Sequence, residues 1–391
     1  MTDKVMRKFT VFIIFSCLTL FSFSQKTSIF IEDKVYTGYV IQNFLNYDSF
    51  PKLSPAFINE FKVGHKTLGK KSWHQYYNYP EVGVSFLYGG LGNKRQFGNT
   101  FAIVPNISFN IKTYDKSSLK MSFGWGISHF NKPYDSIDNP HNILIGSKLT
   151  HSAYIVLQYQ KYLGRNFYFD LAGAYLHSSN GHYQVPNGGM NLATLSVGVK
   201  KYFSPNNKFI EQNRPEKRAK SDIYLNLGYG IHEFAGTMRP VGTPKYDVYT
   251  LTLLYGKNYS YIGKYFIGFS GKYYKAFKYY IKKDSLYDKN IDLNSTIITF
   301  ILGNEFQFGN FSIFVHGGLN IYTPFVRNFV YSDIYKYNIN NILELFISTK
   351  LGMRYYLLNP QTSNFNIYTS WAIKANFGNA DFTELSLGFV F

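Results

Sequence analysis

The feature that most constrains the fold of this chain is an alternation of apolar and polar residues that continues to its last residue. Segments with this period of two are separated by short polar or glycine-rich gaps, and no long segment repeats with the period of a helix. The pattern predicts an all-β fold built from hairpins. Its segments are 34–45, 55–65, 81–90, 98–112, 118–130, 147–162, 165–179, 190–203, 221–235, 246–258, 263–275, 293–308, 310–321, 343–357, 365–377 and 383–391.

The composition indicates that these strands lie in a membrane. Aromatic residues make up 19% of the chain, whereas charged residues make up only 16%. The best apolar stretch after the N-terminal region, 297–302, is far too short for a membrane-spanning helix. These features are typical of a transmembrane antiparallel β-barrel, and we expect about 12–16 strands because the first two segments alternate least clearly. No linker or shift in composition marks a second domain, so 25–391 is predicted to be one closed barrel.

The N-terminal region has the parts of a secretory signal peptide. Basic residues near the start precede an apolar run, 9–23, and the small residues Ser22 and Ser24 favour cleavage directly after them. Residues 1–24 are therefore predicted to be removed. Cys17 would leave with this segment, so disulfides and thiol catalysis are excluded from the mature chain.

The last strand carries an orientation signal. The chain ends ELSLGFVF, in which alternate residues from Leu385 to Phe391 form an apolar face and the last residue is aromatic. This ending resembles the terminal strand of bacterial outer-membrane proteins, which implies a Gram-negative outer membrane and recognition by the barrel-assembly machinery. Counting hairpins back from a periplasmic end places the loop after the seventh segment on the outer surface. One connection, 204–220, is unusually long for the periplasmic side.

The formal net charge of +18 favours an anionic partner. Export of the chain excludes nucleic acid. The phosphate-bearing outer leaflet of a Gram-negative envelope is therefore the expected partner, together with the membrane lipid itself.

The hairpin after the seventh segment, HSSNGHYQVPNGGMN, collects polar residues within apolar surroundings. Because side chains alternate along a strand, His177 and Ser179 share the face that carries the phenylalanines of their strand. Asn191 lies on the matching face of the returning strand. Asp170 falls on the opposite face, which suits a polar lumen, so His177, Ser179 and Asn191 are predicted to face lipid near the rim. Ser178 is predicted to point into the lumen.

Polar side chains at a lipid-facing rim suit a hydrolase that acts on acyl esters. A serine hydroxyl becomes a nucleophile when a base takes its proton, and the imidazole of His177 can serve Ser179 in this way. Asn191 can accept a hydrogen bond from the other imidazole nitrogen and so fix the tautomer. The expected donors to the developing oxyanion are Asn180, Gly181, Asn187 and Gly188.

The spacing of these residues resembles the signature of the outer-membrane lipid A 3-O-deacylases of the PagL type and their acyloxyacyl-hydrolase-like relatives. The resemblance implies a β-barrel that removes a fatty acyl chain from lipid A, the membrane anchor of lipopolysaccharide, near the outer leaflet. It places the base at His177, the nucleophile at Ser179 and oxyanion-related asparagines at Asn180 and Asn187. It implies no cofactor. The residues that carry it are His177, Ser179, Asn180, Pro186, Asn187 and Asn191.

The resemblance departs from the best-known members at Asn191, where they have a glutamate, and this chain is longer than the eight-stranded members. One alternative is a polar hairpin on a non-catalytic barrel that acts as a porin or uptake channel. Another is that Ser178 is the nucleophile. His182 is expected to be exposed in the loop, and because the remaining histidines show no metal-ligand spacing, no metal site is predicted.

Overall fold

The computed structural model describes residues 28–41, 50–203, 209–210, 221–331 and 339–391. Sixteen antiparallel strands lie in these ranges, and they close into two barrels of eight strands each. The first barrel consists of β1 (Ser28–Val40), β2 (Ala56–Lys66), β3 (Glu81–Gly90), β4 (Asn99–Thr113), β5 (Ser117–Phe130), β6 (Leu149–Gly164), β7 (Phe167–Ser179) and β8 (Met190–Tyr202). The second barrel consists of β9 (Ser221–Glu233), β10 (Lys245–Asn258), β11 (Gly263–Tyr274), β12 (Thr296–Phe308), β13 (Phe311–Tyr322), β14 (Ile347–Tyr356), β15 (Asn366–Asn376) and β16 (Asn379–Val390).

The prediction of one closed barrel over 25–391 is wrong. β8 pairs back onto β1, with Lys200 opposite Glu32, and β16 pairs with β9, with Leu385 opposite Tyr229. Alternation along a strand records which face each residue occupies, but it does not record which strand lies alongside. The sequence pattern therefore does not distinguish one large barrel from two small ones. The all-β antiparallel class is confirmed, and the strands lie close to their predicted positions.

The segment 204–220, predicted as a long periplasmic connection, joins the two barrels. Of this segment the structure describes Phe209 and Ile210. The backbone N–H of Ile210 donates to the carbonyl of Leu68 at 2.8 Å, so this part of the linker lies against the first barrel. The predicted signal peptide, 1–24, lies outside the described residues.

Charged and polar side chains fill the lumen of each barrel. In the first barrel the ammonium group of Lys200 lies 2.7 Å from the carboxylate of Glu81, and in the second barrel Lys350 lies 2.8 Å from Glu384. Asp170 is fully buried inside the first barrel, as predicted. A barrel of about eight strands is just wide enough for side chains to fill its interior, which agrees with these packed lumens.

The outward faces of both barrels are apolar. Leu195 and Val197 of the first barrel and Leu253 and Leu302 of the second are all more than half exposed. Apolar side chains exposed on the outer wall are what a barrel presents to the hydrocarbon of a membrane. Among the helices in the described part of the chain, none is both long and apolar enough to cross a bilayer.

Five short helices lie between strands in the described residues. The first of them packs between the two barrels, where the ring of Trp73 lies edge-on to Phe308 at 6.0 Å. The helices are α1 (Ser72–Tyr76), α2 (Lys275–Lys283), α3 (Ile291–Asn294), α4 (Pro324–Tyr331) and α5 (Ile339–Phe346).

The two barrels also contact each other along their walls. The indole rings of Trp125 and Trp371 stack with their centroids 5.4 Å apart. At the end of the barrels opposite to Phe391, the loop between β7 and β8 meets the loop between β9 and β10. The fold therefore places the second barrel directly beside the polar hairpin HSSNGHYQVPNGGMN.

Candidate active site

The register of β6, β7 and β8 brings the predicted site residues to one face of the first barrel. His177 lies opposite Asn191 in the neighbouring strand, and Ser179 lies opposite His151. Because His177 and Ser179 are two residues apart on one strand, their side chains point to the same side. It is the outward side, which also carries the 42% exposed ring of Tyr175. This arrangement agrees with the predicted register of the hairpin.

Ser178 points to the other side of the wall. Its hydroxyl lies 3.4 Å from that of Ser152 and 3.5 Å from that of Ser128, and Ser128 is buried in the lumen. The predicted inward orientation of Ser178 is confirmed, and Ser179 is the hydroxyl on the face of His177.

The imidazole of His177 is held by Asn191. Its Nδ1 lies 2.6 Å from Oδ1 of Asn191, and the hydroxyl of Tyr175 donates to the same oxygen at 2.7 Å. An amide oxygen only accepts hydrogen bonds, so this pattern assigns the proton to Nδ1 of His177. The lone pair is then on Nε2, the nitrogen that would act as a base.

Ser179 completes the outward face without a hydrogen bond to the histidine. It is only 5% exposed, and its hydroxyl makes no hydrogen bond to another residue that the structure describes. The structure thus joins His177 to Asn191 directly and places Ser179 beside them through the strand register. Catalytic contacts of this kind often tighten only when substrate is bound.

Asn180 and Asn187 bind each other across the loop 180–189, which we call the site loop. The N–H of Asn180 donates to Oδ1 of Asn187 at 2.9 Å, and Nδ2 of Asn180 donates to the carbonyl of Gln184 at 2.7 Å. Within the described residues, Nδ2 of Asn187 and the N–H of Gly181 make no hydrogen bond. These two groups are donors that the site loop leaves for a ligand.

The N–H of Gly188, expected to be an oxyanion donor, is already used. It donates to the carbonyl of Ile143 at 3.1 Å, and the N–H of Gly189 donates to the carbonyl of Leu144 at 3.0 Å. These bonds fix the site loop to the loop between β5 and β6. Gly189 has a φ of +78°, and a Cβ built on it would lie 3.1 Å from Cε1 of His177. Glycine at this position therefore lets the backbone approach the imidazole closely.

His182 is buried, so the prediction that it is exposed in the loop is wrong. Its Nε2 donates to the carbonyl of Ala235 at 3.1 Å, and its own carbonyl accepts the N–H of Glu233 at 3.2 Å. Burial lowers the pKa of His182, so the ring is neutral, and the bond to a carbonyl assigns its proton to Nε2. The expectation failed because the second barrel covers this part of the loop.

Glu233, at the end of β9, connects the two barrels through its carboxylate. Oε2 accepts the N–H of Val185 at 2.9 Å, while Oε1 accepts the N–H and the hydroxyl of Thr243 at 2.9 and 3.1 Å. The N–H of Asn187 also donates to the carbonyl of Thr237, at 2.8 Å. The site loop of the first barrel is therefore hydrogen-bonded to residues 233–237 of the second barrel.

Thr383 on β16 is a further contact from the second barrel. Its hydroxyl lies 2.8 Å from Nε2 of His151, the residue opposite Ser179. Gly181 has a φ of +64°, and a Cβ built on it would collide with the hydroxyl of Thr383. Both the backbone conformation and the space beside Thr383 require glycine at this position.

The residues that the second barrel contributes to the site were not predicted from the sequence. Glu233, Thr237 and Thr383 lie far along the chain from the hairpin, and no spacing in the sequence links them to it. The available signal in the sequence was a glutamate near the end of a predicted strand, because a carboxylate at such a position needs hydrogen-bond partners if it is buried.

The site offers side-chain groups rather than a metal centre. Among the residues that the structure describes, no three His, Cys, Asp or Glu side chains come together where they could hold a metal ion. A hydroxyl, an imidazole and amide groups are what the site presents, and these groups suit nucleophilic attack on an ester.

Two family models match the chain, one in each barrel. The model described as lipid A 3-O-deacylase (PagL) matches residues 59–200. The model described as acyloxyacyl hydrolase, C-terminal domain, matches residues 220–391. The two matched ranges together take in most of the chain.

Comparison with solved structures finds matches at low identity and low TM-score. The crystal structure of the outer membrane enzyme PagL has 15% identity and a TM-score of 0.28, and the match covers 43% of this chain and 97% of that one. Neisserial surface protein A has 10% identity and a TM-score of 0.31, with 45% and 97% covered. The outer membrane protein opdK from Pseudomonas aeruginosa has 9% identity and a TM-score of 0.22, with 94% and 99% covered. Comparison with the curated proteins finds no match.

Proposed function

We propose that Ser179 and His177 hydrolyse an acyl ester of lipid A at the rim of the first barrel. Residues 59–200 match the lipid A 3-O-deacylase (PagL) family and residues 220–391 match the acyloxyacyl hydrolase C-terminal domain, and both are families of ester hydrolases. The observation that carries this proposal is the hydrogen bond between Nδ1 of His177 and Asn191. It leaves Nε2 of the imidazole as a base on the face of Ser179.

In the first step, Nε2 of His177 takes the proton of the Ser179 hydroxyl as Oγ attacks the ester carbonyl. The carbonyl oxygen becomes an oxyanion. When the tetrahedral intermediate collapses, the alcohol oxygen of the ester leaves and takes the proton from His177. The fatty acyl group remains on Ser179 as an ester.

The developing oxyanion needs donors that are already in place. The N–H of Gly181 and Nδ2 of Asn187 fit this role, because both lie in the site loop next to Ser179 and neither is used within the described structure. Asn180 supports them by binding Oδ1 of Asn187 through its N–H. Gly188 has a positioning role, since its N–H holds the loop to Ile143.

In the second step, water attacks the acyl ester of Ser179 while His177 again acts as base. The fatty acid is released and the serine hydroxyl is restored. Asn191 stabilises the protonated imidazole in both steps through its amide oxygen, which stabilises the charge less than a carboxylate would.

The alternative function of a pore or uptake channel has less support. Charged pairs such as Lys200 with Glu81 and Lys350 with Glu384 occupy the two lumens. Such eight-stranded interiors leave little room for a solute path. Conductance of the purified protein in planar bilayers would test this alternative, and we expect none.

The membrane setting supports lipid A as the substrate class. The predicted C-terminal signal ends at Phe391, whose side chain is 58% exposed on the outer wall. We also propose that the barrel-assembly machinery recognises this strand. With Phe391 in the periplasm, the site loop at the opposite end faces the outer leaflet. Lipid A occurs in that leaflet.

The test is release of fatty acid from lipid A by purified protein in detergent micelles. Ser179→Ala and His177→Ala should each lower the rate by on the order of 10³-fold or more, because nucleophile and base act as a unit. Ser178→Ala is the matched control, since its hydroxyl lies in the lumen, and it should keep the parent rate. Parent activity in Ser179→Ala would overturn the proposal.

A further inference from the structure

The site loop is anchored to the second barrel by several hydrogen bonds near the two proposed oxyanion donors, and three of them involve backbone N–H groups. Glu233 accepts the N–H of Val185, the carbonyl of Thr237 accepts the N–H of Asn187, and the N–H of Glu233 binds the carbonyl of His182. His182 follows Gly181 directly in the chain. The anchors therefore flank both donors.

Glu233 is the centre of this anchor. It is 1% exposed, and each of its carboxylate oxygens accepts hydrogen bonds: one from the site loop and the other from Thr243 of its own barrel. A buried carboxylate that accepts several N–H bonds in this way forms strong, directional contacts. The carboxylate of Glu233 thereby fixes the distance between the site loop and the loop that joins β9 to β10.

Oxyanion donors act only when they lie within hydrogen-bond distance of the place where charge develops. A displacement of about 1 Å can lower a rate by about 100-fold. We infer that Glu233 is a positioning residue of the first barrel's active site, so that the second barrel is required for turnover rather than being an independent unit. This inference rests on the proposed function.

The experiment compares Glu233→Gln and Glu233→Ala with the parent in the intact two-barrel protein. Glutamine keeps one acceptor oxygen and loses the other, so kcat of Glu233→Gln should fall about tenfold. Alanine loses both oxygens, so kcat of Glu233→Ala should fall about 100-fold. KM should stay within about twofold in both variants, because the donors act on the transition state. The substrate is p-nitrophenyl butyrate, and heat-modifiable migration on gels reports whether the barrels are folded.

Asp292→Asn is the matched control. Asp292 lies in the second barrel and binds Lys278 and Tyr273, and in the described structure it makes no hydrogen bond to the site loop. This variant should keep the parent kcat. A full kcat in Glu233→Ala, while Ser179→Ala is inactive, would overturn the inference and leave the proposed function intact. Full activity in Ser179→Ala would instead overturn the proposed function.

A second inference rests on a different observation, a groove in the outer wall of the second barrel. The groove has a volume of about 610 Å³, which lies in the range of ligand pockets. Outward side chains of β9, β13, β14, β15 and β16 line it, among them Leu227, Tyr229, Met353, Trp371, Leu385 and Leu387.

The groove begins beside the proposed nucleophile. Trp371 lines it, and the ring of Trp371 lies 4.8 Å from the ring of His151, which is opposite Ser179 in the sheet. Trp371 is itself opposite Leu385, two residues along β16 from Thr383. The wall of the groove is thus continuous with the catalytic face of the first barrel.

The outer wall that carries the groove faces hydrocarbon. From Leu385 the lining continues one step along β16 to Leu387, and it crosses β15 and β14 to Phe311 on β13. The groove therefore extends from the row of Trp371 toward the end of the barrel that carries Phe391, away from the site loop. We propose that this groove binds the fatty acyl chain of the ester that Ser179 attacks, an assignment that also rests on the proposed function.

The test is chain-length preference, measured with p-nitrophenyl palmitate and p-nitrophenyl butyrate in micelles. Leu385→Trp and Met353→Trp fill the groove, so each should lower the ratio of palmitate to butyrate kcat/KM by roughly tenfold. Leu302→Trp, on the outer wall away from the groove, should leave the ratio unchanged. An unchanged ratio in both groove variants, with hydrolysis still dependent on Ser179, would mean that the groove holds only bulk lipid. Hydrolysis that does not depend on Ser179 would overturn the proposed function.

Discussion

Replacing Asn191 by alanine removes the acceptor that holds the imidazole of His177. Two hydrogen bonds end on Oδ1 of Asn191, one from Nδ1 of His177 at 2.6 Å and one from the hydroxyl of Tyr175 at 2.7 Å. The bond to His177 becomes a bond to a charged group when the imidazole takes the serine proton. Such a bond contributes about 1.5–3 kcal/mol.

Since about 1.36 kcal/mol corresponds to a factor of ten in rate, kcat of Asn191→Ala should fall about 10–100-fold. The fall should be smaller than that of Ser179→Ala, because the base and the nucleophile remain. Tyr175→Phe removes only the second bond to Asn191 and should lower kcat by less than about tenfold.

The assay is release of fatty acid from lipid A in detergent micelles, with kcat and KM measured separately for each variant. Asn191 is 5% exposed at the rim, so heat-modifiable migration should be recorded to establish that each barrel is folded. An Asn191→Ala protein with the parent kcat would refute the assignment of the imidazole proton to Nδ1 and, with it, the role of Nε2 as base.

Three further predictions concern the same hairpin. Asn191→Glu supplies the charge found in the best-known relatives, so it should raise kcat severalfold and move the acidic limb of the pH–rate profile to higher pH, because a carboxylate favours the protonated imidazole. Gly181→Ala introduces a side chain at a φ of +64° and against Thr383, so activity on p-nitrophenyl butyrate should fall at least about tenfold while the barrels still migrate as folded. Asn187→Ala removes a proposed oxyanion donor and should lower kcat about 10²–10³-fold with little change in KM, whereas an unchanged kcat would exclude its amide from the oxyanion site.

Much of the fold could be predicted because alternation is a local property. Each strand of a membrane barrel places apolar residues outside and polar residues inside, and that pattern is written along the strand itself. The closure of β8 onto β1 is a pairing between distant segments, and the alternation of apolar and polar residues does not encode it. The long basic segment 204–220 links the two barrels, but a count of the strands alone did not identify it as a linker between domains.

The candidate site likewise has features that could be predicted from the sequence and features that could not. The common face of His177 and Ser179 and its alignment with Asn191 follow from local register, and the structure agrees with them. The contacts of Glu233 and Thr383 depend on how one barrel packs against the other, which no local pattern encodes. Burial of His182 and the bond between Gly188 and Ile143 arise from the same tertiary packing.

The most direct test of the central claim is the mass spectrum of lipid A from Gram-negative cells that produce either the parent protein or Ser179→Ala, with equal amounts of folded barrel in the outer membrane. Cells with the parent should contain lipid A lighter by one fatty acyl chain, and cells with Ser179→Ala should contain the unmodified species. Unmodified lipid A in both cultures, or the same loss of an acyl chain in both, would contradict the claim.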